Sequence, residues 1–171
     1  GIIKNLGMVD GNVTSSYSGS IVGRNEGTIS NCYNMGNVTS SSYSGGIAGR
    51  NEGTISNCYN TGNVTATTNF ASSTVTSYSG GIAGYNDGTI RNCYNTGTVT
   101  ATSKNDTAYA GGLVGRASST SATISTSYSM GEVSATGATT RVGKVIGMNE
   151  GATLSHLYYC LLYTSDAADE L

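Results

Sequence analysis

The chain has 171 residues, 25 of them glycine and none proline, with a formal net charge of −2 and only 11% charged residues. Leu, Ile, Val and Phe together number 29, about a sixth of the chain and too few for an ordinary globular core, while the weak charge is unlike that of a disordered polyelectrolyte. Near neutrality gives no reason to expect nucleic acid or an anionic membrane as partner, and no stretch approaches the roughly 20 apolar residues of a membrane-spanning helix.

In chain order the dominant feature is repetition. The chain opens inside one copy of a unit, IIKNLGMVDGNVT at 2–14. Three full copies follow: GSIVGRNEGTISNCYNMGNVT at 19–39, GGIAGRNEGTISNCYNTGNVT at 45–65 and GGIAGYNDGTIRNCYNTGTVT at 80–100. A degraded copy runs from GGLVG at 111–115 to SYSMGEVS at 127–134, and a last one begins VGKVIGMNEGATLSHLYY at 142–159. The equivalent glycines Gly23, Gly49, Gly84, Gly115 and Gly147 are 26, 35, 31 and 32 residues apart. Length varies at two places, after the Val-Thr step (most of all at 66–77) and at ASSTSA 117–122. A constant unit with insertions at set points is the pattern of a stacked coil.

Each unit holds short β-branched runs such as Thr28-Ile29, Val38-Thr39 and Val64-Thr65, and no useful 3.6-residue apolar period. The Asn-Glu-Gly steps at 25–27 and 51–53, and Asn-Asp-Gly at 86–88, read as turns in which Gly accepts positive φ. The unit therefore predicts about three short strands per coil, and the chain an all-β parallel β-helix, or β-solenoid, of about five coils with one 26–35-residue repeat per coil. A series of β-hairpins is the competing topology. Stacking at roughly 4.8 Å per rung gives about 24 Å for five rungs.

Stacking converts repeat positions into rows. Ile29, Ile55, Ile90, Ile124 and Leu154 form one predicted core row. Val13, Val38, Val64, Val99 and Val133 form a second, and Ile21, Ile47, Ile82, Leu113 and Val145 a third. Cys32, Cys58 and Cys93 share a position filled elsewhere by Leu6, Ser127 and Leu157, which reads as a buried slot holding a structural cysteine ladder. A disulfide between adjacent rungs meets the Cα spacing but seldom the dihedral, and no Cys-x-x-Cys pair supports a metal. Ile29 and Cys32 can both face inward only if the chain bends near Asn31. Asn31, Asn57 and Asn92 are expected at that corner, with amides bonded along the stack, and His156 takes the same slot in the last copy.

Tyr33, Tyr59, Tyr94, Tyr128 and Tyr158 make one aromatic row, and Tyr17, Tyr43, Tyr78 and Tyr109 another; self-stacking is the plainer reading, sugar stacking the functional one. Arg24, Arg50 and Arg116 form a broken basic row, with Tyr85 and Met148 at the same position. A ligand surface, if the segment has one, is expected among Arg24, Arg50, Arg116, Tyr43, Tyr78, Asn69 and Phe70, the last two in the variable loop 66–77. Carboxylates come one per rung, too sparse for calcium. Four Asn-x-Thr sequons begin at Asn12, Asn37, Asn63 and Asn105, the first three being part of the repeat. No catalytic constellation, cofactor motif or phosphate loop is present in the sequence. The segment is therefore expected not to be an enzyme and to need no cofactor or metal.

The unit Gly-Gly-Ile-Ala-Gly with a downstream Asn-Cys-Tyr-Asn-Thr-Gly resembles the GLUG repeat family, whose Gly-Leu-x-Gly core is matched at 112–115 and, with Ile for Leu, at 46–49 and 81–84. The resemblance covers about residues 2–159. It implies a secreted or surface-anchored bacterial protein, with an adhesive or stalk-like role and a host protein or glycan as partner beside the neighbouring repeats. It also implies the alternative of an accessory region in a larger secreted peptidase, such as an immunoglobulin-A-cleaving metallopeptidase, or in a polysaccharide-degrading enzyme. Ice binding by a flat Thr face is a third reading, weakened because the aligned row holds mainly one Thr per coil. Residues 160–170, CLLYTSDAADE, have no counterpart in the repeat and match a translated sequencing-library adapter. The chain is therefore divided into a repeat solenoid, 1–159, and an artefactual tail of a metagenomic fragment, 160–171. Gly1 is not a natural start, so no weight falls on the lack of a leader.

Overall fold

A computed structural model describes residues 1–68 and 75–160. Its regular elements are all strands, paired in parallel into three sheets that run along one axis. One coil shows the plan: strands Thr28–Ser30, Tyr33–Asn34, Asn37–Gly45 and Ala48–Asn51, after which Thr54–Ser56 begins the next turn. The first two strands belong to the first sheet, Asn37–Gly45 to the second and Ala48–Asn51 to the third. The parallel β-solenoid is thus the fold, and the hairpin alternative falls away because successive repeats pair in parallel. This coil has four strands rather than three, since the first face is broken by a bend, and the two coils that follow have five because the second face is also split.

That bend is the one the Ile29–Cys32 spacing demands. Asn31, Asn57 and Asn92 each sit at φ 53°, and Asn5, Thr126 and His156 take the same left-handed conformation at 57°, 47° and 51°. Asn tolerates this region better than other side chains do. Its effect is to turn Ile29 and Cys32 to the same side, and both are buried. The Asn-Glu-Gly turns work differently from expectation. Among the described residues only Gly11 and Gly151 are glycines with positive φ. Gly53 is required for another reason: a Cβ there would run into the carbonyl of Gly27 one rung away, and Gly88 stands likewise against Gly53. Close stacking of turn on turn, not a left-handed backbone, selects these glycines.

Register follows the repeat. Ile29 pairs with Ile55, Ile55 with Ile90, Ile90 with Ile124 and Ile124 with Leu154. The main core lies between the first and third sheets, where Ile29, Ile55, Ile90 and Ile124 meet Ile47, Ile82, Leu113 and the cysteines, all buried. Leu154 keeps the row but is 42% exposed, because no rung covers it. The second sheet encloses a separate narrow lobe. Ser44 Oγ donates to the Val38 carbonyl at 3.4 Å, and Ser79 Oγ to that of Val64 at 3.2 Å. Residues six and fifteen apart meet in this way only if the chain reverses between them. Small residues make the lobe possible: Val99, Ala101, Ala108 and Ala110 pack as a second cluster, and Thr68 and Ser77 close it through hydroxyls 2.8 Å apart. The long insertion leaves from this closed tip. Asn69 and Phe70 lie outside the described residues.

Two buried amide ladders hold the coils together, and neither is the corner row. Asn25 donates to Asn51 and Asn51 to Asn86, each at 2.7 Å. Asn34 donates to Asn60 at 2.6 Å and Asn60 to Asn95 at 2.7 Å. Each amide also closes its own turn, as Asn34 does with the Gly36 carbonyl and N–H. An Asn side chain carries both donor and acceptor, so it alone satisfies a copy of itself above and below. The corner asparagines do bond along the axis, Asn31 to Asn5 at 3.3 Å and Asn92 to Asn57 at 3.1 Å, but they are exposed.

Replacing Asn60 by Ala strips buried partners from Asn34, Asn95 and Gly62. Each such group costs about 1–3 kcal/mol, so the variant should lose about 3 kcal/mol or more, against about 1 kcal/mol for Ile55→Val. Urea denaturation followed by circular dichroism compares the two, and equal losses would disprove a leading role for the ladder.

Candidate functional site

The repeated polar and aromatic side chains fall into axial columns, and each column has its own chemistry. The cysteines are free thiols. Around the left-handed bend, Sγ of Cys32, Cys58 and Cys93 each donate to the carbonyl two residues back, at 3.2–3.3 Å. The Cys32 N–H in turn donates to Cys58 Sγ at 3.4 Å. At the next rung Ser127 Oγ does both jobs, accepting from the Cys93 N–H at 3.0 Å and donating to the Ser125 carbonyl at 2.7 Å. The slot is apolar, as Leu6 and Leu157 require, yet the Cys58 sulfur also accepts from the Cys32 N–H, and each thiol adds a second donor to a carbonyl already bonded along the stack. Burial pushes the Cys32 thiol up, and the hydrogen bond from Cys58 together with burial pushes Cys93 well up. Hydrogen bonds, the one with Cys93 foremost, act the other way on Cys58 and lower it.

Both tyrosine columns stack on themselves. Tyr33, Tyr59, Tyr94 and Tyr128 lie ring over ring at 5.2, 5.0 and 5.0 Å, within 7° of parallel. Tyr17, Tyr43, Tyr78 and Tyr109 do the same at 4.6, 4.8 and 5.1 Å. Ring faces inside a column are therefore covered, and only edges and hydroxyls face outward. Stacking of a sugar on an interior ring has no open face to use.

The arginines join the second tyrosine column. The pattern is an offset zipper in which each Arg reaches the acid one rung on: Arg24 to Glu52 at 2.6 Å, Arg50 to Asp87 at 2.9 Å and Arg116 to Glu150 at 2.7 Å. Arg24 and Arg50 also pair within their own rungs with Glu26 and Glu52. At one rung both partners change together. Tyr85 replaces Arg and Ser118 replaces the acid, and their hydroxyls meet at 2.6 Å. The Tyr85 ring lies between the guanidiniums of Arg50 and Arg116, at 4.9 and 5.7 Å, and edge-on to Tyr43 and Tyr78. Arg116 also donates to the Tyr78 hydroxyl at 3.3 Å. The structure thus gathers Arg50, Arg116, Tyr43 and Tyr78 into one network with Arg24 at its end. The guanidiniums in it are engaged with protein carboxylates. Burial opposes the charge of Arg116, but Glu150 and the Tyr78 hydroxyl outweigh it and raise its pKa.

On the outer side of the second sheet Thr65 pairs with Thr100, and a further row places Thr67, Thr102 and Thr136 in register. The sequence reading of one Thr per coil missed this second row, which spans three coils. Among the described residues no three His, Cys, Asp or Glu side chains group so as to hold a metal ion. Two hollows lie at the rims of the first and last coils, one lined by Ile2, Ile3, Val22 and Arg24, the other by Val145, Ile146, Leu154 and Leu157. The first also takes in Asn25 and Glu26, which the amide ladder and the Arg24 ion pair already engage, and the second is lined mainly by apolar side chains.

These columns define a repeat-built parallel β-solenoid whose side chains are spent on holding rung to rung. The GLUG motif matches two stretches of the repeat, residues 40–65 and 70–100. A crystal structure from Bacteroides ovatus, described as a "putative immunoglobulin A1 protease", has a similar fold with a TM-score of 0.71 and 28% identity, over 93% of this chain and 51% of that one. The chain spans about half the length of that protein. No curated protein matches the chain.

Two predictions follow from the columns. Cys58→Ser keeps the donor and acceptor of the slot, as Ser127 does, and should stay within about 1 kcal/mol of the parent, whereas Cys58→Ala leaves the buried Cys32 N–H without its acceptor and should cost about 1–3 kcal/mol; denaturation curves in which Ala and Ser behave alike would refute the role. The Arg24 hydrogen bond holds Glu52 below the usual carboxylate range. A carboxyl group with a depressed folded pKa gives stability that is present above its unfolded pKa and lost as pH falls through the folded one. Stability should therefore decline below about pH 4, and Glu52→Gln should flatten that decline; an unaltered acid limb in the variant would count against the zipper.

Proposed function

We propose that this segment is a non-catalytic, modular stalk in a secreted or cell-surface bacterial protein, holding other parts of that protein apart. The observation that carries the reading is the axial consumption of the repeated polar groups: amides bond to amides, guanidiniums to carboxylates and thiols to backbone. A surface built for turnover leaves groups converging on a substrate, and here they converge on the next coil. Repeat proteins of this kind gain stability from neighbour contacts, so coils can be added or removed without changing the plan. Similarity to half of a protein described as a putative immunoglobulin A1 protease supports a second form of the same reading, in which the stalk is an accessory region of a larger secreted enzyme.

Deleting residues 45–79 removes one coil between the equivalent Gly45 and Gly80. The shortened chain should keep its β-sheet circular dichroism and a cooperative melt, and neither it nor the parent should hydrolyse immunoglobulin A1 or polysaccharide. Loss of fold on deletion would argue against modularity, and hydrolysis by the parent would overturn the non-catalytic reading.

A further inference from the structure

Two guanidiniums stand outside the zipper, those of Arg91 and Arg141, and Arg141 lies on the second sheet. Arg91 lies on the first sheet, in the row Lys4, Ser30, Ser56, Arg91, Ser125, Ser155. It is exposed, and among the described residues it has no ion-pair partner. The contrast with the zipper is chemical. Wherever the repeat places Arg24, Arg50 or Arg116, an acid stands one rung on. At residue 91 a serine position has become arginine with no acid added. The strands of the first sheet hold Lys4, Arg91 and His156 and no Asp or Glu at all.

The groups beside Arg91 are neutral and repeat along the axis. Asn57 and Asn92 are exposed, and Asn92 already bonds to Asn57, which shows that groups one rung apart on this face can be bridged at hydrogen-bond distance. Tyr59 and Tyr94 stack 5.0 Å apart and turn their edges outward. A row of amides and phenol hydroxyls at that interval suits a polymer whose hydroxyls recur at nearly the same interval, as in an extended chain of pyranose units. Covered ring faces disfavour a single-stranded nucleic acid, whose bases need open aromatic faces. Arg91, on strands that carry no carboxylate, favours an anionic chain over a neutral one.

We infer that the first-sheet face binds a linear uronate-bearing polysaccharide laid along the solenoid axis, with one sugar carboxylate on Arg91 and neighbouring sugar hydroxyls on Asn57, Asn92 and Tyr94. The inference goes beyond the stalk reading: a stalk needs no such surface, and this one would make it adhesive. It does not depend on the variable loop.

The test is isothermal titration of the whole chain with oligogalacturonate, beside a neutral cello-oligosaccharide and poly-glutamate. Arg91→Ser is safe for the fold, because Ser fills that slot in four other coils, and an unchanged melting curve verifies it. Oligogalacturonate should bind, and Arg91→Ser should weaken it about fivefold, the size of one exposed charge contact, with added salt acting in the same direction. Lys104→Ser, which removes a cation from elsewhere on the surface, should change nothing. Absence of binding, binding indifferent to Arg91→Ser, or equal affinity for the neutral sugar overturns the inference. Equal affinity for poly-glutamate also overturns it, since charge alone would then suffice. None of these results touches the stalk reading, which fails only on coil deletion or hydrolysis.

Discussion

Everything in this molecule depends on one constraint: in a parallel stack in register, each side chain sits directly over its own counterpart. Only a residue that tolerates contact with a copy of itself can fill a buried row. Ile and Val do so by shape. Asn does so because its amide offers a donor and an acceptor in one group, which is why Asn25, Asn51 and Asn86, and Asn34, Asn60 and Asn95, can be buried without cost in unpaired polar groups. Tyrosine does so by ring stacking. Arginine cannot, because like charges would face each other at rung spacing. The zipper resolves this by offsetting each guanidinium toward the acid of the next coil.

The same constraint explains how the repeat is allowed to vary. Length varies most at the lobe tip, where the chain reverses. Within a column, change comes in compensated form. Tyr85 and Ser118 replace an Arg and an acid at adjacent rungs and restore one contact between them. Ser127 replaces a cysteine and keeps both of its hydrogen bonds. Arg91 lacks such compensation, and it lies on the outer face, where no partner in the stack is owed.

Function reads differently in such a fold than in an enzyme. A catalytic site gathers unlike groups at one point, whereas a solenoid spreads like groups along a line. Its natural ligands are therefore extended, and its natural mechanical role is to set distance. Both follow from the geometry of the column.

The sequence by itself determined the coil. Glycine spacing, β-branched steps and the Cys, Ile and Val rows were enough for a parallel solenoid, because equal spacing of like residues has few other physical explanations. It also required the bend at Asn31, since Ile29 and Cys32 could not otherwise share an interior. What the sequence left undecided were partners across rungs and across the coil. Asn25 and Asn34 look like ordinary turn residues until the stack buries them against Asn51 and Asn60. The turn glycines look like positive-φ residues until the carbonyl of the turn below is seen to exclude a Cβ. The Arg zipper and the second Thr row rest on contacts between coils that no single repeat contains, and the lobe of the second sheet on a chain reversal within one coil. Only the tertiary structure decides these, because they depend on which atom of one rung meets which atom of the next.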